Sequence, residues 1–423
     1  MTFKTYSIGS YLFCIAFIYT LFMPVIGSNA FGFSIINGGT ILLGVTAIFL
    51  HHRNFSFSYI VAFALIGELI FLFPTLVLSP VIIKRDLFDL IRPMMYFCFF
   101  SLGFLSLNKK NLSTAPYTIW RVILVCFIIQ AVFAILQKQH AFQAVSSLYT
   151  KSHNVSSGRA TGTFINPYDL AVMICLPLFY FLAQLFTVRS WKWIIALIIT
   201  GIFLYSGLAS QSKTFFFAVP AGILAWAGAY TLLNRVEKTF SIFLKALVFT
   251  LIISLIIIFN WQFFNSKFHY FIHGLQQFLS GQHSTFTPRA EQAHYIFSHM
   301  NHFNNAIFGH GVFKANTELP YIENQYMLYL YRYGVIGLVW VVTILIFGLW
   351  QAIRLLSYTV SHPHSWLHYF AEACVMFFGM LFVVSMTNPY LDMSRDSQII
   401  LMILGFITKF NYLVRFCGNP PIN

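Results

Sequence analysis

Apolar stretches of roughly twenty residues recur from one end of the chain to the other. Each is long enough to cross the ~30 Å hydrocarbon core of a bilayer as a helix. Backbone groups in lipid find no water, so only helices or closed β-barrels can cross. A barrel would need short alternating strands, and the runs here are long and continuously apolar. Of 423 residues, 58% are hydrophobic and 9% charged, too few charges for a soluble globular fold. The expectation is an all-α polytopic membrane protein with about twelve transmembrane helices. Their centres fall near Phe17, Leu42, Gly67, Cys98, Ile128, Cys175, Ile198, Gly222, Ile253, Val342, Phe377 and Leu404. No internal repeat and no low-complexity linker divides the chain, so residues 1–423 read as a single integral membrane domain.

Short loops after the even-numbered spans carry Arg53, Lys109 with Lys110, Arg189 with Lys192, Arg235 with Lys238, Arg354 and Arg415. Positive charge in short loops marks the cytoplasmic side. Both termini then face the cytoplasm, and segments 80–86, 138–166, 210–213, 264–324 and 388–396 lie on the opposite side. Lys84, Arg85, Arg159, Lys213, Arg289 and Arg395 break the charge bias there. A shared anionic ligand would account for cations on the unfavoured side. Within the spans, Glu68 and Arg92 sit deep enough either to pair with each other or to line a substrate path.

The formal net charge is +14. It is spread over loops with no nucleic-acid-binding motif, so membrane lipids are the expected partners and nucleic acid is not. Five of the six cysteines lie inside apolar runs and none is in a CxxC pair, which points to neither disulfides nor zinc. The apolar run from about Ile8 to Ile26 reads as an uncleaved first span.

Residues 264–324 form the longest polar stretch, between the ninth and tenth expected spans. Such a loop is functional or disordered. Apolar residues at helical spacing argue for short helices, among them a face built from Phe268, Phe271, Ile272, Leu275, Phe278 and Leu279. Thr287-Pro288-Arg289 reads as a helix start with Arg289 in its first turn. A cation is mismatched there, and a bound anion would relieve it. Gly309 and Gly311 mark a turn. Glu323 and Asn324 stand where the chain re-enters the membrane, and Gly334 and Gly337 permit close packing.

A second polar stretch, SSGRATGTFINPYDLA, precedes the sixth span. Asn166-Pro167 suits a helix start, and Arg159 stands just upstream, where guanidinium and helix N-terminus would both favour phosphate. On these residues alone two readings stand. Arg159 grips an anion, or it reaches a lipid headgroup while Asp169 caps the helix.

RATGTFINPYDLA resembles the R-x-x-G-x-F-x-N-P-N-x-x-A stretch of the O-antigen ligase and polymerase superfamily, with Tyr168 in place of the usual small polar residue. The Arg289 helix, the FGHG turn, the Glu323-Asn324 pair and the following Gly334 and Gly337 resemble the same family's large loop. The usual proline before the turn is missing, where the chain reads Ala306-Ile307-Phe308. LASQSKT, with Lys213, resembles its S-x-S-R/K stretch, and TNPYLDMSRDSQ adds Arg395 on the same side. Ligases of the family have histidine where Glu323 stands; an acid there resembles a Wzy-type polymerase. The resemblance covers about residues 155–340.

That resemblance implies a GT-C-like bacterial inner-membrane enzyme whose large periplasmic loop contains short helices. It would join undecaprenyl-diphosphate-linked oligosaccharide repeat units into O-antigen or a related surface polysaccharide, assisted by a chain-length regulator and a flippase. Arg159, Arg289, Lys213 and Arg395 would hold the leaving diphosphate, with Glu323 as general base and Asn324, Asn166 and Asp169 along the substrate path. No DxD or histidine cluster suggests a metal, so metal-independent transfer without a cofactor is expected. The alternatives are an O-antigen ligase acting on lipid A core and, from another class, a lipid-linked oligosaccharide flippase or transporter.

Overall fold

The computed structural model describes residues 7–25, 29–51, 58–78, 86, 89–141, 143–149, 158–188, 191–268, 272–273, 276, 286–312 and 322–417. All regular structure among them is helical. The helices are α1 (Ile8–Phe22), α2 (Asn29–Leu50), α3 (Ser58–Val77), α4 (Arg92–Leu105), α5 (Ala115–Lys138), α6 (Gln143–Ser146), α7 (Pro167–Met173), α8 (Cys175–Thr187) and α9 (Lys192–Ala209). They continue with α10 (Lys213–Leu232), α11 (Val236–Phe259), α12 (Trp261–Lys267), α13 (Phe286–His299), α14 (Phe303–Phe308), α15 (Gln325–Thr359), α16 (Trp366–Val384) and α17 (Ser394–Cys417).

Among the described residues, seven helices are long and apolar enough to cross a membrane: α5, the α7–α8 pair, α9, α10, α15, α16 and residues Arg395–Arg415 of α17. The chain is therefore a polytopic helical membrane protein. Among the described residues, Ile8–Phe22, Ile35–Leu50 and Val61–Val77 are shorter apolar helical stretches. Lys84, Arg85, Arg53, Arg189 and most of the apolar face expected between Phe268 and Leu279 lie outside the described residues.

Local chemistry starts several helices. Ser7, Asn324 and Ser365 accept hydrogen bonds from first-turn amides of α1, α15 and α16, satisfying donors that lipid cannot. Prolines sit in the first turns of α4, α5 and α7. Burial is greatest along α16, α17 and α7–α8, while α9 is the most peripheral of the seven. The close α4–α17 contact depends on Gly103 and Gly405. A Cβ on either would come within 2.0 Å of a carbonyl oxygen on the facing helix, so only small residues allow this approach.

The long helix α15 is broken at Gly334, whose φ of 64° and ψ of −164° are not helical. A break inside a helix strips carbonyls of their usual donors, and new donors must come from elsewhere. The turn after α14 supplies them. His310 N–H donates to the Tyr331 carbonyl at 2.9 Å, and Gly311 N–H to the Arg332 carbonyl at 2.8 Å. Gly309 adopts φ 77° and ψ −166° to reach this position. The His310 ring stacks on Tyr331 with centroids 4.8 Å apart, and burial lowers its pKa. Residues of the 264–324 stretch are thus anchored to a span.

Nearby, Arg92 does not pair with Glu68. It bonds the Asp89 and Asp392 carboxylates, and Arg332 joins both acids at 3.4 and 3.8 Å. Two cations and two anions balance, which makes their burial tolerable. The set ties the start of α4 to α15 and to the segment before α17. Among the described residues, Glu68 Oε2 has no hydrogen-bond partner.

Gly334→Ala tests the docked break. The backbone there is open essentially to glycine alone, and a Cβ would lie 2.1 Å from the Ile307 carbonyl oxygen. A loss of about 2 kcal/mol is expected, read as a lower unfolding temperature in detergent. Gly228→Ala, where a Cβ meets nothing within 4 Å, should leave that temperature unchanged.

Candidate functional site

The loop carrying Arg159 is set against the end of α9 by backbone bonding. Ala160 N–H donates to the Ala209 carbonyl at 3.0 Å, and Arg159 Nε donates to the Ser210 carbonyl at 3.4 Å. Gly158 and Gly162 take φ of 65° and 59°, conformations that suit glycine. Gln137 clamps the loop from α5: its Oε1 accepts from Thr161 and Gly162 N–H, and its Nε2 donates to the Gly162 carbonyl. Lys138 Nζ donates to the Gly158 carbonyl at 2.9 Å. The loop is thus held from two helices.

Its neighbour across the α9–α10 turn is Lys213, the first residue of α10. The charges of both Arg159 and Arg289 act on Lys213. Arg289 comes from the first turn of α13. Its Nε and Nη2 donate to one oxygen of Glu323, at 2.8 and 2.7 Å, and Nη2 also reaches the Thr387 carbonyl at 3.4 Å. Glu323 immediately precedes the α15 cap. Among the described residues its other oxygen, Oε1, accepts no hydrogen bond. The two side chains are 33% and 38% exposed, open enough to meet a ligand. Lys213 thus lies within electrostatic reach of two arginines, one of which is paired with Glu323, and a local excess of cations favours an anion.

The remaining sequence-derived candidates do other work, and two of them, Asp169 and Arg395, are buried. Asn324 caps α15 through Tyr326 and Met327 N–H, at 2.9 and 3.1 Å. Asn166 occupies the cap position of α7, but its side chain makes no capping bond. Its Nδ2 instead donates to Asp169 Oδ2 at 3.2 Å. Arg395 is 4% exposed, and its guanidinium donates to the Leu21, Met23 and Thr163 carbonyls. Donors committed this way staple the loop before α7 to the end of α1, so Arg395 is not joined to the diphosphate-binding group expected from its side of the membrane.

Asp396 carries no role in the sequence reading, and the structure buries it against Asp169, carboxyl to carboxyl. Both Asp396 oxygens and Asp169 Oδ1 lack a hydrogen-bond partner among the described residues, so the two buried acids repel unless one is neutral. Tyr390 stands between these acids and the exposed Arg289–Glu323 pair. Its hydroxyl is within hydrogen-bond reach of Thr214 and Asn388, and Asp169 and Asp396 act on it electrostatically. Asn388 Nδ2 reaches Thr387 Oγ1 at 3.4 Å, and Thr387 is the residue whose carbonyl meets Arg289. TNPYLDMSRDSQ held the signal for these residues, which attention to its arginine alone misses.

No protein-family model and no curated protein matches the chain. The likeness to the O-antigen ligase and polymerase superfamily rests on the quoted residues.

The carboxyl pair makes its own prediction. Asp396→Asn keeps the shape, removes one of two neighbouring acids and offers Asp169 an amide N–H, and should keep the unfolding temperature within experimental scatter or raise it. Asp396→Ala leaves Asp169 buried without its partner and should cost about 1–3 kcal/mol. Equal losses in both variants, measured by thermal unfolding in detergent, would show that a polar group at 396 does nothing for Asp169.

Proposed function

We propose that the protein is a Wzy-type polymerase that extends a glycan on an undecaprenyl diphosphate carrier at the outer face of a bacterial inner membrane. In this reading the chain crosses about twelve times, both termini are cytoplasmic, and residues 264–324 are periplasmic. The observation that supports it most is that Lys213 lies within electrostatic reach of Arg159 and Arg289, from two other segments, with Arg289 paired to Glu323.

Polymerisation breaks the bond between a sugar C1 and the diphosphate oxygen, which leaves with the electron pair. A hydroxyl of a second lipid-linked unit forms the new C1–O bond and gives up its proton. Negative charge grows on the departing diphosphate as the bond breaks. Fixed cations there stabilise the transition state more than the bound substrate. Arg159, Lys213 and Arg289 serve that purpose. Glu323 takes the acceptor's proton. Its pairing with Arg289 couples the two events: a diphosphate competing for the guanidinium frees the carboxylate as the donor arrives. An acid at this position, rather than histidine, favours polymerase over ligase.

Purified protein incubated with a synthetic lipid-linked repeat unit tests this directly. Wild type should lengthen the glycan. Arg159→Ala and Arg289→Ala should each lower kcat by roughly 10²- to 10³-fold, and Glu323→Gln by roughly 10²- to 10⁴-fold. Unchanged chain lengths in all three variants at normal protein levels would refute the assignment. In cells, deletion leaving single repeat units supports a polymerase; deletion leaving finished polymer on its carrier indicates a ligase.

A further inference from the structure

A second built site lies at the other ends of the same helices. Lys213 begins α10 and Thr387 follows α16, whereas this site is formed where α10 ends and α16 begins. Twenty residues of helix separate the two by roughly 30 Å. A cavity of about 620 Å³ opens among the ends of α8, α10 and α16 and the first half of α11. Phe186, Trp226 and Ile242 line its apolar side, and Lys238, Lys245 and Glu372 its polar side.

Glu372 is only 3% exposed. Its Oε1 accepts from Trp226 Nε1 at 3.1 Å and from the Tyr230 hydroxyl, with His368 Nε2 at 3.4 Å. Its Oε2 has no partner among the described residues. A buried carboxylate oxygen without a donor is costly, and such a group demands explanation. Two ammonium groups stand at the same cavity. Lys245 Nζ uses one of its three hydrogens on the Phe186 carbonyl at 2.7 Å. Lys238 lies over the Tyr230 ring at 5.0 Å and is within electrostatic reach of Glu372, Arg235 and Lys245. The cavity therefore presents a cationic wall and one acceptor waiting for a donor.

From this geometry we infer that the cavity binds a glycerophosphodiester whose head carries a hydrogen-bond donor, with its phosphate at Lys238 and Lys245 and its donor at Glu372 Oε2. An ammonium or hydroxyl two carbons beyond the phosphate has the right chemistry. A membrane phospholipid is the favoured source. Phe243 and Leu244, beside the lysines on α11, are exposed apolar residues where acyl chains would lie. Trp191 and Trp193, just past the α8 end of the cavity, are exposed aromatics of the kind that settle at headgroup level. This site owes nothing to the glycosyl-transfer reading, and either can fail alone.

Native mass spectrometry of the detergent-purified chain tests the inference with phosphatidylethanolamine, phosphatidylglycerol and phosphatidylcholine as probes. The first two should be retained one per protein. Phosphatidylcholine, whose quaternary ammonium has no N–H, should bind ~10-fold more weakly. Lys238→Gln with Lys245→Gln, at solvent-accessible positions, should lower retention of the first two ~10-fold. Glu372→Gln should erase the discrimination against phosphatidylcholine while sparing phosphate-dependent retention. Displacement by sn-glycero-3-phosphoethanolamine identifies a soluble ester as a sufficient ligand, and its failure identifies the lipid; both support the chemistry. Equal retention of all three lipids by wild type, or undiminished retention by the double lysine variant, overturns it.

Discussion

A helix broken within a long apolar span must find new partners for the carbonyls it exposes, and in this protein that requirement organises the end of the molecule that carries α13 and α14. The break at Gly334 is met by the N–H groups of His310 and Gly311. In water the exposed carbonyls would be solvated and the turn would have little reason to dock. In a low-dielectric setting each unmet carbonyl is expensive, so the turn is drawn in. Docking it places α13 and α14 over α15 and brings Arg289 against Glu323, at the point where α15 begins. The geometry of the cationic group thus follows from backbone accounting several turns away.

The same accounting explains the charges. Several buried charges are grouped: Arg92 and Arg332 with Asp89 and Asp392, and Arg395, held by three backbone carbonyls, near Asp169 and Asp396. Each set ties segments distant in sequence, and each would be destabilising if halved. The exposed group differs. Lys213 lies within electrostatic reach of Arg159 and Arg289, and the Arg289–Glu323 pair is open to water and ligand. Imbalance at an accessible place is what an anion-binding site requires, and balance at an enclosed place is what a frame requires.

Helical membrane character was legible because it depends on run length and on the cost of unpaired backbone, both local properties. So was the helix start at Pro167, and so were the turn glycines Gly309 and Gly311. What those glycines dock onto was not legible: Gly334 reads as a small packing residue, and nothing nearby announces a broken helix. Pairings across long sequence distances were also hidden. Arg92 reads as a partner for Glu68 because both look deep, whereas its real partners Asp89 and Asp392 look like loop residues. Asp396 carries no signal of its own in the sequence; its closeness to Asp169 appears only in the folded chain. Arg395 resembles Arg159 in the sequence, and burial alone separates their roles.

Convergence of the three cation-bearing segments can be measured without knowing the substrate. Single cysteines replacing Arg159 and Arg289, in a chain whose six native cysteines are changed to alanine, can be treated in intact membranes with a short bifunctional thiol reagent. The account predicts efficient intramolecular cross-linking, matched by a Lys213–Arg289 cysteine pair and absent for an Arg289–Lys238 cysteine pair. No cross-link from position 289 to either 159 or 213, with each cysteine singly reactive, would contradict it.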